Sequence, residues 1–248
     1  LNYEKYVSFD KRKKYKRSIN KIFDLIKENT KYHYNSKELN HGKFLKILVK
    51  KMKEKKNISI VTTNYDILFE EAAKYEKIDY TDGFSKSENR NNLKFDIQNF
   101  NEDKINIIKV HGSLTWRRYY SDIYKDKIEN IKNPVMIFPS VNKYSQSYEK
   151  PYFELFDKFR ELLTKKNTFL ITNGFSFLDN HIAKMIIEKI KENKNLTVLI
   201  TDYNINQEHN NWNEMKKLME KGYNVSFLKA TMNDDLIYYL EGDIGEKI

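Results

Sequence analysis

Four short apolar runs in this chain each lead into residues that can bind polar ligands or move protons. Ile58–Val61 runs into Thr62, Thr63, Asn64, Tyr65 and Asp66, and Ile105–Val110 into His111, Gly112, Ser113 and Leu114. Phe169–Ile171 is followed by Asn173, Gly174, Phe175 and Ser176, and Val198–Ile200 by Thr201, Asp202, Tyr203 and Asn204. An imidazole exchanges a proton near neutral pH. Amide and carboxylate side chains orient water and hydroxyl groups, and glycine lets a backbone come close to a ligand. Singly, each residue also has an ordinary explanation. Asp66 is placed to cap a following helix, His111 to sit in a turn, Gly174 to take a positive φ, and Ser176 or Asp179 to cap the next helix. The ordered combination raises the functional reading above these.

For such residues to act together, the runs before them must be strands. The sequence predicts strands at Ile58–Thr62, Ile105–Val110, Val135–Phe138, Thr168–Thr172, Thr197–Thr201 and Val225–Leu228. Helical spacing appears between them, at Ile67–Tyr75, Tyr152–Leu163, Asn180–Ile190 and Trp212–Glu220. Strands separated by helices imply crossover connections and an α/β fold with a mostly parallel sheet, which binds ligands beyond the carboxyl ends of its strands. Ser85–Asn106 is polar and reads as a long loop. Ahead of residue 57, Tyr15, Ile19, Ile22, Phe23 and Ile26 recur at helical spacing, as do Leu45, Leu48, Val49 and Met52. These predict two amphipathic helices packed on another surface. The expected division is a basic helical lobe over 1–57 and an α/β domain over 58–248.

The charge follows that division. The chain has 248 residues and a net charge of +10, but residues 1–60 hold 18 Lys and Arg against 6 Asp and Glu, so the excess belongs to the lobe. Its densest run, Lys11–Arg17, reads as a solvated helix face, with an acidic or nucleic-acid partner as the weaker alternative. There is no cysteine, which excludes disulfide scaffolds, thiol nucleophiles and thiolate metal sites. His33, His41, His181 and His209 lack metal-ligand spacing, so no metal site is expected. No window is apolar enough for a membrane span, and the first residues lack the apolar core of a signal peptide. A soluble cytoplasmic protein without a membrane partner is the expectation.

The strand-end series resembles the sirtuin-like family of NAD-consuming enzymes, from about Ile58 to Asn204 and more weakly over Ala230–Leu240. Thr62-Thr63-Asn64-Tyr65-Asp66 is similar to the family's Thr-Gln-Asn-x-Asp motif, Val110-His111-Gly112 to its Val-His-Gly, and Gly174-Phe175-Ser176 to its Gly-x-Ser. Thr-Thr-Asn-Tyr-Asp followed by His-Gly-Ser-Leu is most like the bacterial branch that hydrolyses NAD in antiphage defence. The resemblance implies a Rossmann-like fold with NAD as substrate. It makes Asn64 and His111 catalytic, the first orienting water and a ribose hydroxyl, the second acting as general base. It gives Thr62, Thr63, Asp66, Gly112, Gly174, Ser176 and Asp202 to NAD binding, with Asp66 on the nicotinamide carboxamide and the next helix N-terminus favouring phosphate. It also implies a homo-oligomer or larger defence complex.

Two departures qualify it. Deacylating sirtuins carry a four-cysteine zinc module; with no cysteine here, zinc of that kind is excluded and NAD hydrolysis is favoured over protein deacylation. The family's Gly-Ala-Gly-x-Ser phosphate loop is also absent, since no Gly-x-Gly occurs. The chain begins at Leu1 rather than Met, and the loop and first strand are expected to lie upstream. The competing expectations are a sirtuin-like module that binds NAD, ADP-ribose or a related nucleotide without turnover, and a nucleic-acid or acidic-partner module working through Lys11–Arg17.

Overall fold

The computed structural model describes residues 9–30, 32–52, 57–87, 90–132, 134–137, 149–233 and 235–242. They fall into two compact units, one holding 1–35 and 52–155, the other 36–51 and 156–248. The fold is mixed α/β with parallel sheets and, among the described residues, seven α-helices. Among the described residues no helix is long and apolar enough to cross a membrane.

In the first unit, β1 (Ser59–Thr62), β5 (Ile105–Lys109) and β2 (Tyr80–Thr81) form a parallel sheet in the order β1-β5-β2. All five residues of β5 are buried, as expected of a central strand. Helix α3 (Leu68–Tyr75) connects β1 to β2 and buries Leu68, Ala72 and Ala73. Helix α1 (Phe9–Thr30) also belongs here. Phe23 joins Leu114, Ile128 and Met136 in one apolar cluster, against which Ile26, Tyr65 and Ile67 pack. Ile22 and Leu25 on the same helix are exposed, so only part of its apolar stripe is covered. The side chains of Tyr15 and Ile19 lie outside the described residues.

An antiparallel sheet completes this unit, in the order β3 (Phe84–Ser87), β4 (Arg90–Phe95), β7 (Asp122–Lys125), β6 (Trp116–Tyr119). Its apolar face is aromatic: Trp116 is fully buried, with ring centroids 5.3 Å from Phe84 and 5.9 Å from Phe95. The stretch predicted as a long loop at Ser85–Asn106 is therefore two strands and a 3-10 turn, Ile97–Asn99, whose start is capped by Asp96. Short strands with one solvated face escape a reading that looks for continuous apolar runs.

The strand predicted at Val135–Phe138 is also corrected. Phe138 lies outside the described residues, and Val135–Ile137 makes a single antiparallel bridge, Gly112 to Met136. The segment is extended because it pairs with the turn after β5: the amide of Ser113 donates to Val135 O at 3.1 Å and that of Ile137 to His111 O at 2.9 Å.

The second unit has a parallel sheet in the order β10-β9-β8, from β8 (Phe169–Asn173), β9 (Thr197–Asp202) and β10 (Val225–Lys229). Helix α5 (Asn180–Glu192) crosses from β8 to β9 and α6 (Asn210–Glu220) from β9 to β10. Helix α4 (Tyr152–Thr164) leads in from the first unit. Helix α2 (His41–Lys51) packs Ile47 with Leu236, Ile237 and Leu240 of α7 (Asp235–Glu241). Five of the six predicted strands and all of the predicted helices thus form, with parallel pairing where crossovers required it.

Candidate active site

Within the first unit the structure brings two of the three motifs together. Beyond β1, the Asn64 amide donates to Thr62 Oγ1 at 3.0 Å, closing a turn that leaves the Asn64 side chain exposed. Thr63 is half-buried beside it. Asp66 accepts the Leu68 amide on Oδ1 at 3.1 Å, so its carboxylate holds the approach to α3, although the capping position proper is Ile67.

Beyond β5, His111 is 5% exposed and its carbonyl is held by Ile137. Gly112 has φ +83°, and a Cβ there would meet Val135 O, with Met136 Cα at 2.9 Å. The left-handed conformation and this close packing both demand glycine. The two motifs share one acceptor. Tyr65 O receives Ser113 Oγ at 3.1 Å and the Leu114 amide at 3.2 Å, while the Tyr65 hydroxyl donates to Ile137 O at 2.6 Å. An exposed amide, a carboxylate and an imidazole are thereby carried on two turns bonded to each other.

Charged side chains lie beneath these turns. Lys109, on β5 and 2% exposed, donates to the main-chain oxygen of Asp66 and lies 3.5 Å from Glu70 of α3, itself 2% exposed. At that distance the pair is ionic rather than a well-formed hydrogen bond, and both Glu70 oxygens lack a hydrogen-bond partner. Lys125 pairs with buried Asp82 nearby in the unit. Burial pushes the Tyr80 phenol above its ordinary value, and the charges of Asp82 and Glu70 add to the rise. Removing one member of such a buried pair typically costs about 3–5 kcal/mol, because the other charge is left uncompensated.

The third motif and Asp202 lie in the second unit. Gly174 takes φ +63° after β8, and a Cβ built on it would meet nothing within 4 Å, so its backbone faces open space. Its amide donates to Thr201 O at 3.1 Å. Thr201, fully buried, donates to Thr172 O at 2.7 Å and accepts from Asn173 Nδ2 at 2.8 Å. Ser176 is half-buried. Asp202 is 3% exposed and accepts the Asn204 amide on Oδ1 at 2.9 Å, so one carboxylate oxygen already shapes the turn after β9. Asp179 caps α5 by accepting from His181 and Ile182. That helix end therefore carries a carboxylate of its own, and Gly174 offers the more open approach for an anion.

A model of the SIR2-like domain matches residues 58–228, a span that holds every one of these strand-end residues. The chain belongs to the SIR2-like family. No curated protein matches it. The SIR2-like family includes NAD-dependent enzymes, and membership implies involvement of NAD.

Three residues that hold these turns, Ser113, Tyr65 and Lys109, had no role assigned from their place in the sequence. Ser113 and Tyr65 were visible within their motifs but carried no role. Lys109 was the one charge in a strand otherwise made of Ile and Asn, the one signal that could have marked it. Of the basic run, Arg17 is exposed on α1, and the side chains of residues 11–16 lie outside those described.

Proposed function

We propose that this chain is an NAD glycohydrolase domain, releasing nicotinamide and ADP-ribose as the effector of a bacterial antiphage defence protein. The observation that carries the reading is the shared acceptor at Tyr65, which joins the Asn64 turn to the His111 turn. Cleavage of a glycosidic bond passes through a cation-like state and needs a held leaving group, a positioned water and a base. In this reading Asp66 holds the nicotinamide carboxamide, Asn64 orients water and a ribose hydroxyl, and His111 takes the proton. Thr62, Thr63 and Gly112 shape that pocket, and Gly174, Ser176 and Asp202 serve the phosphates and adenosine. In this reading the basic helices over 1–57 precede the NAD-binding domain over 58–248. The protein works in the cytoplasm, as a homo-oligomer or in a larger complex, without zinc.

The test is nicotinamide release from NAD by the full-length protein, followed by chromatography. Asn64→Ala and His111→Ala are each expected to abolish release while leaving the fold intact. Activity persisting in both variants rejects the reading. The low exposure of His111 favours a second one, a module that holds NAD, ADP-ribose or a related nucleotide without turnover. Calorimetric binding without nicotinamide release selects it.

A further inference from the structure

We infer that Lys109, held by Glu70, is a positioning residue that fixes the Asp66 end of the Thr62–Asp66 turn; its kinetic consequence rests on the NAD-hydrolase reading above. A charge within the buried strand β5 needs a reason, because an apolar side chain of similar volume would pack there without desolvation. The ammonium of Lys109 reaches the main-chain oxygen of Asp66, which lies outside any helix or strand. Glu70 lies one helical turn further on, 3.5 Å from the same ammonium, and neither of its oxygens has a hydrogen-bond partner. Its contribution is therefore electrostatic, keeping a charged lysine where the Asp66 carbonyl can use it. Asp66 is then held twice, its carbonyl by Lys109 and its Oδ1 by the Leu68 amide. Because Lys109 stands two residues before His111 on the same segment, one side chain couples the Asp66 turn to the strand that delivers the imidazole.

The test uses the full chain carrying Lys109→Met together with Glu70→Leu, so that no lone charge stays buried. Asp82→Asn with Lys125→Met removes a second, partly buried ion pair and serves as control. The Lys109/Glu70 variant is expected to unfold at the parent temperature, while amide exchange over residues 62–68 speeds up about tenfold. Its KM for NAD rises about tenfold, with a smaller change in kcat, as loss of a substrate-holding contact requires. The control keeps parent kinetics and parent exchange over 62–68. Parent-like exchange and parent-like KM in the Lys109/Glu70 variant overturn the inference. If the parent releases no nicotinamide, the functional reading fails by itself, and exchange over 62–68 still decides: faster exchange sustains the anchoring role and unchanged exchange ends it. Should the double variant not fold, Lys109→Gln with Glu70→Gln keeps the shapes and removes both charges. A rise in KM or in exchange over 62–68 then supports the pair's role, and parent values in both overturn it.

Discussion

The hydroxyl of Ser113 donates to the carbonyl of Tyr65 at 3.1 Å, across 48 residues of chain. This bond, with the Leu114 amide on the same oxygen, makes two strand-end turns one object. Ser113 is fully buried and its Oγ also contacts Thr115 Oγ1 at 3.1 Å. Ser113→Ala removes both contacts and the bond its Oγ accepts from the Thr115 amide at 3.4 Å, but leaves the Leu114 amide in place. We expect a loss of about 1–2 kcal/mol in urea unfolding and a fall in nicotinamide release at saturating NAD. Full activity in a destabilised variant would show that this bond serves the fold alone.

The two strand-end glycines should respond differently to alanine. At Gly112 the added Cβ meets the backbone of Val135 and Met136 and the residue must keep φ +83°, so Gly112→Ala is expected to cost at least about 3 kcal/mol. At Gly174 nothing lies within 4 Å, and only the positive φ opposes the change, at about 1 kcal/mol. Denaturant titration of the two variants measures this contrast. If Gly174 lies against phosphate, Gly174→Ala also weakens NAD binding by more than its small stability loss suggests.

Thr201→Val tests the corresponding joint in the second unit. The hydroxyl it removes donates to Thr172 O and accepts from the Asn173 amide. A loss of about 1–2 kcal/mol is expected from the broken bonds, with faster amide exchange at Asn173 and Gly174. Exchange unchanged at those residues contradicts the assignment.

Asp126 should make part of the stability dependent on pH. Its carboxyl is held below the ordinary aspartate value of 3.8, first by the Asn130 side chain and then by the Lys127 amide. A carboxyl depressed in the folded state contributes stability above its unfolded pKa, and that contribution disappears as pH falls through the folded value. Asp126→Asn should therefore be less stable than the parent near neutral pH, and the gap should close below about pH 3.8. Urea unfolding at several pH values reads this directly; a gap that widens with acid contradicts the sign.

Five parallel strands were legible because each is a nearly continuous apolar run, such as Ile105–Ile108 or Val198–Ile200, bounded by polar residues; the two-residue parallel strand Tyr80–Thr81 is too short to leave such a signal. The antiparallel sheet was not, since its strands are short and charges break up the apolar residues, as in Trp116-Arg117-Arg118-Tyr119. Val135–Ile137 has the composition of a strand, yet its hydrogen bonds are shared among the His111–Ser113 turn, the Trp116 carbonyl and the Tyr65 hydroxyl, which no local pattern encodes. At the site, residue types and order exposed Asn64, Asp66, His111 and Gly174. The role of Lys109 depends on Glu70, supplied by a helix 39 positions earlier, and only folding brings the two charges together.

The packing beside Gly112 bears on how its motif can change over evolutionary time. The volume a side chain would need is filled by main-chain atoms of Val135 and Met136, which every amino acid at those positions possesses. No compensating substitution there can make room, so drift at this glycine is blocked whatever chemistry the neighbouring imidazole performs. Under the hydrolase reading, a relative that had lost catalysis would still keep the glycine, and Asn64 and His111 rather than Gly112 would register the loss.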